Sequence, residues 1–199
     1  MGNYSELYFA GKKAPPKRGE LSNDSPYLLS KYHVPLLWLA LFDPKDIVDI
    51  PVDGGEDVNP YLVKARDEAV VMLTSREPWL LSNFKNLKSL WVSQFKAVLE
   101  GADFDYVHLD TSDIGSMVGS GEEWKSLLGK ILRMFSEQVP QEASPGLFGR
   151  LFAKPKEQTS WDVFNQRLGS AFNGDRGAQP WPYCGASGTD ETMPWECDL

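Results

Sequence analysis

Cysteine and histidine are scarce in this chain of 199 residues, with two of each. Cys184 and Cys197 both lie near its end, while His33 and His108 are far apart. Such dispersal provides no compact ligand spacing for a transition metal. A core without cysteine also lacks the framework of a secreted disulfide scaffold. We therefore expect no metal, no cofactor and a reducing, cytoplasmic setting. Long apolar runs are missing as well, none approaching the roughly 18 residues of a membrane span. Residues 1–5 have neither a basic nor an apolar leader region, so no secretory signal is expected. Glu6 stands where a myristoylation pattern calls for Ser or Thr. Positive charge is in short supply too, and the net charge of -8 disfavours direct binding to nucleic acid.

Several catalytic signatures are equally absent. Gly115, Gly119 and Gly121 precede a helical pattern but lack a Walker lysine and do not match the dinucleotide fingerprint. Glu122 and Glu123 at that helix start would repel phosphate. Asp103, Asp105, Asp110 and Asp113 supply oxygens without the central glycine and terminal glutamate of a calcium loop. The Gly-x-Ser-x-Gly spacing of a nucleophile elbow does not occur.

What is present suits one domain with a sizeable core, since 42% of residues are hydrophobic. We expect an α+β or α/β fold with a small mixed sheet and at least three packed helices. Residues 1–139 read as the compact core. Residues 140–199 read as a Gly/Pro-rich extension docked through Trp181, Tyr183 and Trp195, because disordered tails carry few aromatics. Alternation predicts strands over 4–9, 47–52, 61–63 and 104–109. Ser25 followed by Pro26 predicts a short helix through Lys31, and Pro35 begins a buried run to Phe42. Asp67 and Glu68 suit the first turn of a helix over 67–74. Three- and four-residue steps predict helices over 84–99, capped by Ser82 or Asn83, over 122–138, and over 161–168, capped by Ser160.

Charge is concentrated in one place. Residues 43–68 follow the most apolar run and hold Asp43, Asp46, Asp49, Asp53, Glu56, Asp57, Asp67 and Glu68 against Lys45, Lys64 and Arg66. That excess of five negative charges is most of the chain's total. Asp53, Glu56 and Asp57 flank the expected Gly54-Gly55 turn, with Trp38, Tyr61 and Trp79 nearby in sequence. Aromatic anchors ringed by carboxylates compose a surface for a basic protein. Asp46, Asp49, Asp53, Glu56, Asp57, Tyr61 and Trp79 are the expected partner-binding residues.

The expected function is thus a non-catalytic protein that binds and masks another protein, such as an inhibitor or immunity protein for a basic nuclease toxin. Its partner would be a protein, with no nucleic acid or membrane engaged directly. The alternative is a small hydrolase using His108 as base, Ser112 as nucleophile and Asp110 or Asp113 as orienting carboxylate. The structural reading of those same residues is a capping loop beside a half-buried strand histidine. His33, next to an apolar run, reads as a packed, hydrogen-bonded side chain. A further alternative is a structural adaptor whose docked tail rearranges on assembly.

Overall fold

The computed structural model describes residues 3–15, 27–51, 58–139, 159–172, 174–187 and 192–196. Five strands form one sheet: β1 (Tyr4–Ala10), β2 (Tyr27–Lys31), β3 (Ile47–Pro51), β4 (Val58–Ala65) and β5 (Tyr106–Asp110). Their order is β2-β1-β5-β4-β3 and every pairing is antiparallel. The fold is therefore a single α+β domain, and its sheet is antiparallel rather than mixed. Pro60 fits inside β4 because it lies beyond the reach of β5, opposite Asp49 of β3 alone. Its missing N–H therefore leaves no gap between two neighbours.

Residues 27–31 pair with β1 as a strand, not as the expected helix. The segment is short, and its alternation puts Leu28 and Ser30 inward while Tyr27 and Lys31 stay exposed. Cross-strand hydrogen bonds outweigh the local preference of the Ser-Pro start.

Helices cover one face of the sheet. They include α1 (Leu36–Leu39), α2 (Arg66–Asn83), α3 (Ser89–Gly101), α4 (Ser112–Gly115), α5 (Gly121–Ser136) and α6 (Ser160–Arg167). Leu7, Phe9, Leu28, Leu62, Val107 and Leu109 meet this layer from the sheet. Val34 and residues 36–42 are fully enclosed, as the apolar run requires. At about 1.5–3 kcal/mol for each large apolar side chain removed from water, that run alone is a major anchor.

Helix α2 extends past the expected end at Thr74 and accommodates Pro78 in its interior. Ser82 and Asn83 therefore finish α2, both donating to the Trp79 carbonyl, instead of capping the next helix. The predicted apolar stripe is buried, but Phe84 and Leu87 lie in the connecting turn and α3 begins only at Ser89. Ser120 and Glu123 form a reciprocal capping box at the start of α5. At α6 Thr159 and Asp162 do the same, so the cap is Thr159 and not Ser160.

Aromatic rings join these helices. Trp79, Phe84, Phe135, Trp161 and Phe164 contact one another at centroid separations from 5.5 to 6.4 Å. Trp79 and Trp161 both donate to the Val139 carbonyl, at 3.2 and 3.0 Å. Residues 174–187 close the other end, with Tyr183 buried against Trp91 and Phe172. Trp38 donates to the Cys184 carbonyl at 2.8 Å. Gly185, at φ 73°, lies so near Trp38 that an added Cβ would stand 2.0 Å from the indole. Only glycine meets both demands there. Ala186 then exchanges backbone hydrogen bonds with Leu29, at 2.7 and 3.0 Å, on the outer edge of β2. Among the described residues no helix is long and apolar enough to cross a membrane.

Candidate functional site

Strand register places polar side chains together on the face of the sheet opposite the helix layer. Glu6 and Tyr61 both lie opposite Asp110, while Tyr8 and Val63 lie opposite His108. Because side chains alternate with period two, Glu6, Tyr8, Tyr61, His108 and Asp110 all share this face. The Tyr8 hydroxyl donates to Asp110 Oδ2 at 3.3 Å. The Tyr8 and Tyr61 rings stack at 6.4 Å, and Tyr61 meets the edge of His108 at 5.8 Å. Burial deepens from exposed Asp113, through half-buried Glu6 and Asp110, to Tyr8, Tyr61 and His108, the last at 0% exposure.

The tautomer of His108 follows from its partner. Nε2 lies 2.8 Å from the Lys12 carbonyl, which can only accept, so Nε2 carries the proton and Nδ1 presents a bare lone pair. Nδ1 is buried without a hydrogen-bond partner among the described residues, whereas the buried Tyr61 hydroxyl has the Tyr8 side chain as its hydrogen-bonding neighbour. Orphaned buried polar atoms are rare and expensive, so the free nitrogen of His108 is a notable feature of this face.

The electrostatics of the cluster are one-sided. Burial raises the Glu6 carboxyl, and the charges of Asp110 and Asp113 raise it further against the opposing Tyr8 hydrogen bond. Burial, followed by Asp110, pushes both phenols far above the ordinary tyrosine range, with Glu6 adding to the effect. Burial lowers His108 despite its bond to the Lys12 carbonyl, keeping the imidazole neutral. Among the described residues no ion pair reaches Glu6, Asp110 or Asp113.

The acidic stretch behaves differently. Asp43 accepts from Arg76 at 2.5 Å and from Ser136 at 2.5 Å, and Lys64 reaches Asp46 at 2.6 Å and Asp43 at 3.6 Å. Arg76 also donates to the carbonyls of Ala40 and Phe42, at 2.9 and 2.8 Å. Burial would raise Asp43, but Ser136, Arg76 and Lys64 outweigh it and hold the carboxyl below its ordinary range. This corner ties β4, α2 and α5 to the end of the apolar run. Asp49 pairs with Lys125 at 2.5 Å, and Asp67 with Arg66 at 3.0 Å.

The expected partner-binding residues are therefore not all neighbours. Trp79 is buried among the helix-layer aromatics, and Tyr61 is buried on the opposite face of the sheet. Asp46 and Asp49 lie towards the helix side, each with its own cation. Asp53, Glu56 and Asp57, with the expected Gly54-Gly55 turn, lie outside the described residues.

The alternative catalytic residues separate as well. Asp110 Oδ1 accepts from the Ser112 backbone N–H at 2.8 Å, forming a turn into α4. Asp113 is exposed in the first turn of that helix. His108 is fully enclosed rather than half-buried, and its free nitrogen meets no nucleophile among the described residues. His33 is packed and bonded as expected. Its Nδ1 donates to the Lys31 carbonyl at 3.0 Å, its ring meets Trp181 at 5.4 Å, and burial lowers it to about 4. Among the described residues no group of three or more His, Cys, Asp or Glu is arranged to hold a metal ion.

Glu6 and Tyr8 were missed in the sequence. The signal was the i, i+2, i+4 series Tyr4, Glu6 and Tyr8, an aromatic and acidic face opposite Ser5, Leu7 and Phe9. Only the pairing with β5 joins that series to His108 and Asp110. No protein-family model, curated protein or solved structure matches the chain.

Proposed function

We propose that this chain is a non-catalytic binding protein that masks a positively charged protein, as an inhibitor or immunity protein for a basic toxin such as a nuclease would. The observation that carries the reading is the closeness of Glu6 to Asp110 and Asp113, with no ion pair to any of the three among the described residues. The raised Glu6 carboxyl marks a charge held at a cost, which an incoming cation relieves. Carboxylates can also stand where phosphates sit in a nucleic-acid cleft and steer association with it.

The hydrolase reading has less behind it. It needs a nucleophile hydrogen-bonded to its base. Ser112 instead binds the Asp110 carboxylate through its backbone, and Nδ1 of His108 is unpartnered. The adaptor reading needs a tail that leaves the body, whereas Tyr183 and Cys184 are enclosed in the main core.

Affinity capture from the native cell at low and moderate salt tests the proposal. The expected result is one stoichiometric basic protein, retained less at higher salt and less by a Glu6→Gln/Asp110→Asn double variant. Retention indifferent to both salt and that double variant would sink it. A hydrolytic activity abolished by replacing His108 would promote the alternative.

A further inference from the structure

Exposed apolar side chains meet where the turn after α4, the start of α5 and the end of α6 approach the residue following β2. A recess of about 150 Å³ opens there. Trp124, Leu168 and Ile114, all buried, form its floor, and Tyr32, Met117 and Arg167, all exposed, form its rim. The floor is built in advance of any ligand. Trp124 Nε1 donates to Thr111 Oγ1 at 2.9 Å, and an added Cβ at Gly115 would stand 2.5 Å from the indole. Tyr32 and Met117, 54% and 48% exposed, are two of the five large apolar side chains left open to water among the described residues. Both border this one recess. Tyr32 also reaches it from a left-handed backbone, φ 65°, which bulky residues rarely take. Its N–H donates to the Asn3 carbonyl at 2.9 Å, which holds that conformation beside the end of β1. Strain imposed in this way motivates a role for the side chain it displays.

The rim is cationic although the chain as a whole carries a net charge of -8. Arg167 lines the recess, and Lys31 Nζ stands 5.1 Å from the centroid of the Tyr32 ring. Neither cation has an ion pair among the described residues. Of the carboxylates nearest these walls in sequence, Glu123 accepts from the Ser120 N–H in the cap of α5, and Asp113 acts on Glu6. We propose that this recess binds a small, flat monocarboxylate, a single aromatic ring bearing one carboxylate group. An apolar cavity of about 150 Å³ holds one benzene ring. The ring leaves water against Trp124, Ile114 and Leu168, while the carboxylate takes the planar fork of the Arg167 guanidinium. Lys31 adds a second positive charge to the same rim. A cationic ring would meet both cations unfavourably, and inorganic phosphate would leave the apolar floor unfilled. The ligand is opposite in charge to the partner proposed for the acidic face, so either reading can fail alone.

The test titrates the full chain with benzoate and, separately, with benzyl alcohol, benzylamine and inorganic phosphate. Binding is followed through isotope-labelled methionine methyl signals, of which there are only five to assign. The Met117 signal should shift saturably with benzoate while that of Met72 stays fixed. Benzoate should bind at least about fivefold more tightly than benzyl alcohol, the gain expected from a charge-assisted pair. Benzylamine and phosphate should leave Met117 unmoved. Arg167→Gln should weaken benzoate by about fivefold or more and leave benzyl alcohol within about twofold. Tyr32→Gly should still fold, because glycine takes that backbone freely, and should weaken both ring ligands by about threefold or more.

No saturable shift of Met117, equal binding of benzoate and benzylamine, or benzoate affinity unchanged in Arg167→Gln would overturn the site. So would a Met117 signal that follows protein concentration and ignores benzoate, which assigns the recess to a second copy of this chain.

Discussion

Strand β4 contributes to two charged regions on opposite sides of one sheet, and they are built on opposite principles. On the helix side Lys64 enters a corner where Asp43, Asp46, Arg76 and Ser136 satisfy one another. On the other side Tyr61 enters a group in which Asp110 and Asp113 both act against the charge of Glu6, and the buried Nδ1 of His108 has no partner. The first region has cations matched to its carboxylates and joins three elements. The second has no ion pair to its carboxylates among the described residues and joins strands already held by their ladder. Charge density alone would have ranked the first as the binding surface. Pairing reverses that order, because a carboxylate with a buried internal cation has little left to offer a partner.

The comparison breaks most visibly at the corner. Arg76→Met should destabilise the fold by about 3–5 kcal/mol in urea unfolding, since it takes the nearer cation from Asp43 and leaves the buried carbonyls of Ala40 and Phe42 without their donor. A loss below 1 kcal/mol would mean that the corner is a solvated pair. Its pH signature follows from the lowered carboxyl of Asp43. That stabilisation is present above the ordinary value of 3.8 and disappears as pH falls through the lower folded value. Asp43→Asn should therefore flatten the acid limb of the stability profile.

Changes on the other face should have smaller effects. Tyr61→Phe should change stability by no more than about 1 kcal/mol, because the hydroxyl makes no hydrogen bond of good geometry and only neighbours the Tyr8 side chain. Glu6→Gln should add roughly 0.5 kcal/mol at neutral pH, a figure kept low because the side chain is half-exposed. The sign is set by its raised pKa. Stability linked to this group is full below the ordinary value of 4.5 and is lost as pH rises through the folded value. The advantage of glutamine should therefore vanish in acid. Lys125→Ala, at the partly exposed pair with Asp49, should change stability by only about 0.2–1 kcal/mol.

Much of the fold was legible because strong periodicity coincides with burial. The run from Val34, the stripe through Trp91 and Phe95, and the amphipathic α5 all pack as their patterns require. Local signals failed where tertiary contacts overrode them. The helix expected over 67–74 runs on to Asn83 with Pro78 inside it, and Ser25-Pro26 reads as a helix start before a strand that pairs with β1. The candidate site was half legible, through His108 and Asp110 on one strand face. Its other half comes from Glu6 and Tyr8, about a hundred residues away in sequence and joined only by the β1–β5 register. Acidic residues close in sequence looked like one surface for the converse reason. The cations that neutralise them, Arg76 and Lys125, come from other elements.

The sharpest measurement is the titration of the Glu6 carboxyl by carbon-detected NMR, alone and with a saturating amount of the captured basic protein. An uncompensated binding face predicts a midpoint above the ordinary carboxylate range in the free protein and a clear fall when that partner is bound. A midpoint at or below the ordinary range, unmoved by the partner, would contradict it, for Glu6 would then already have its cation.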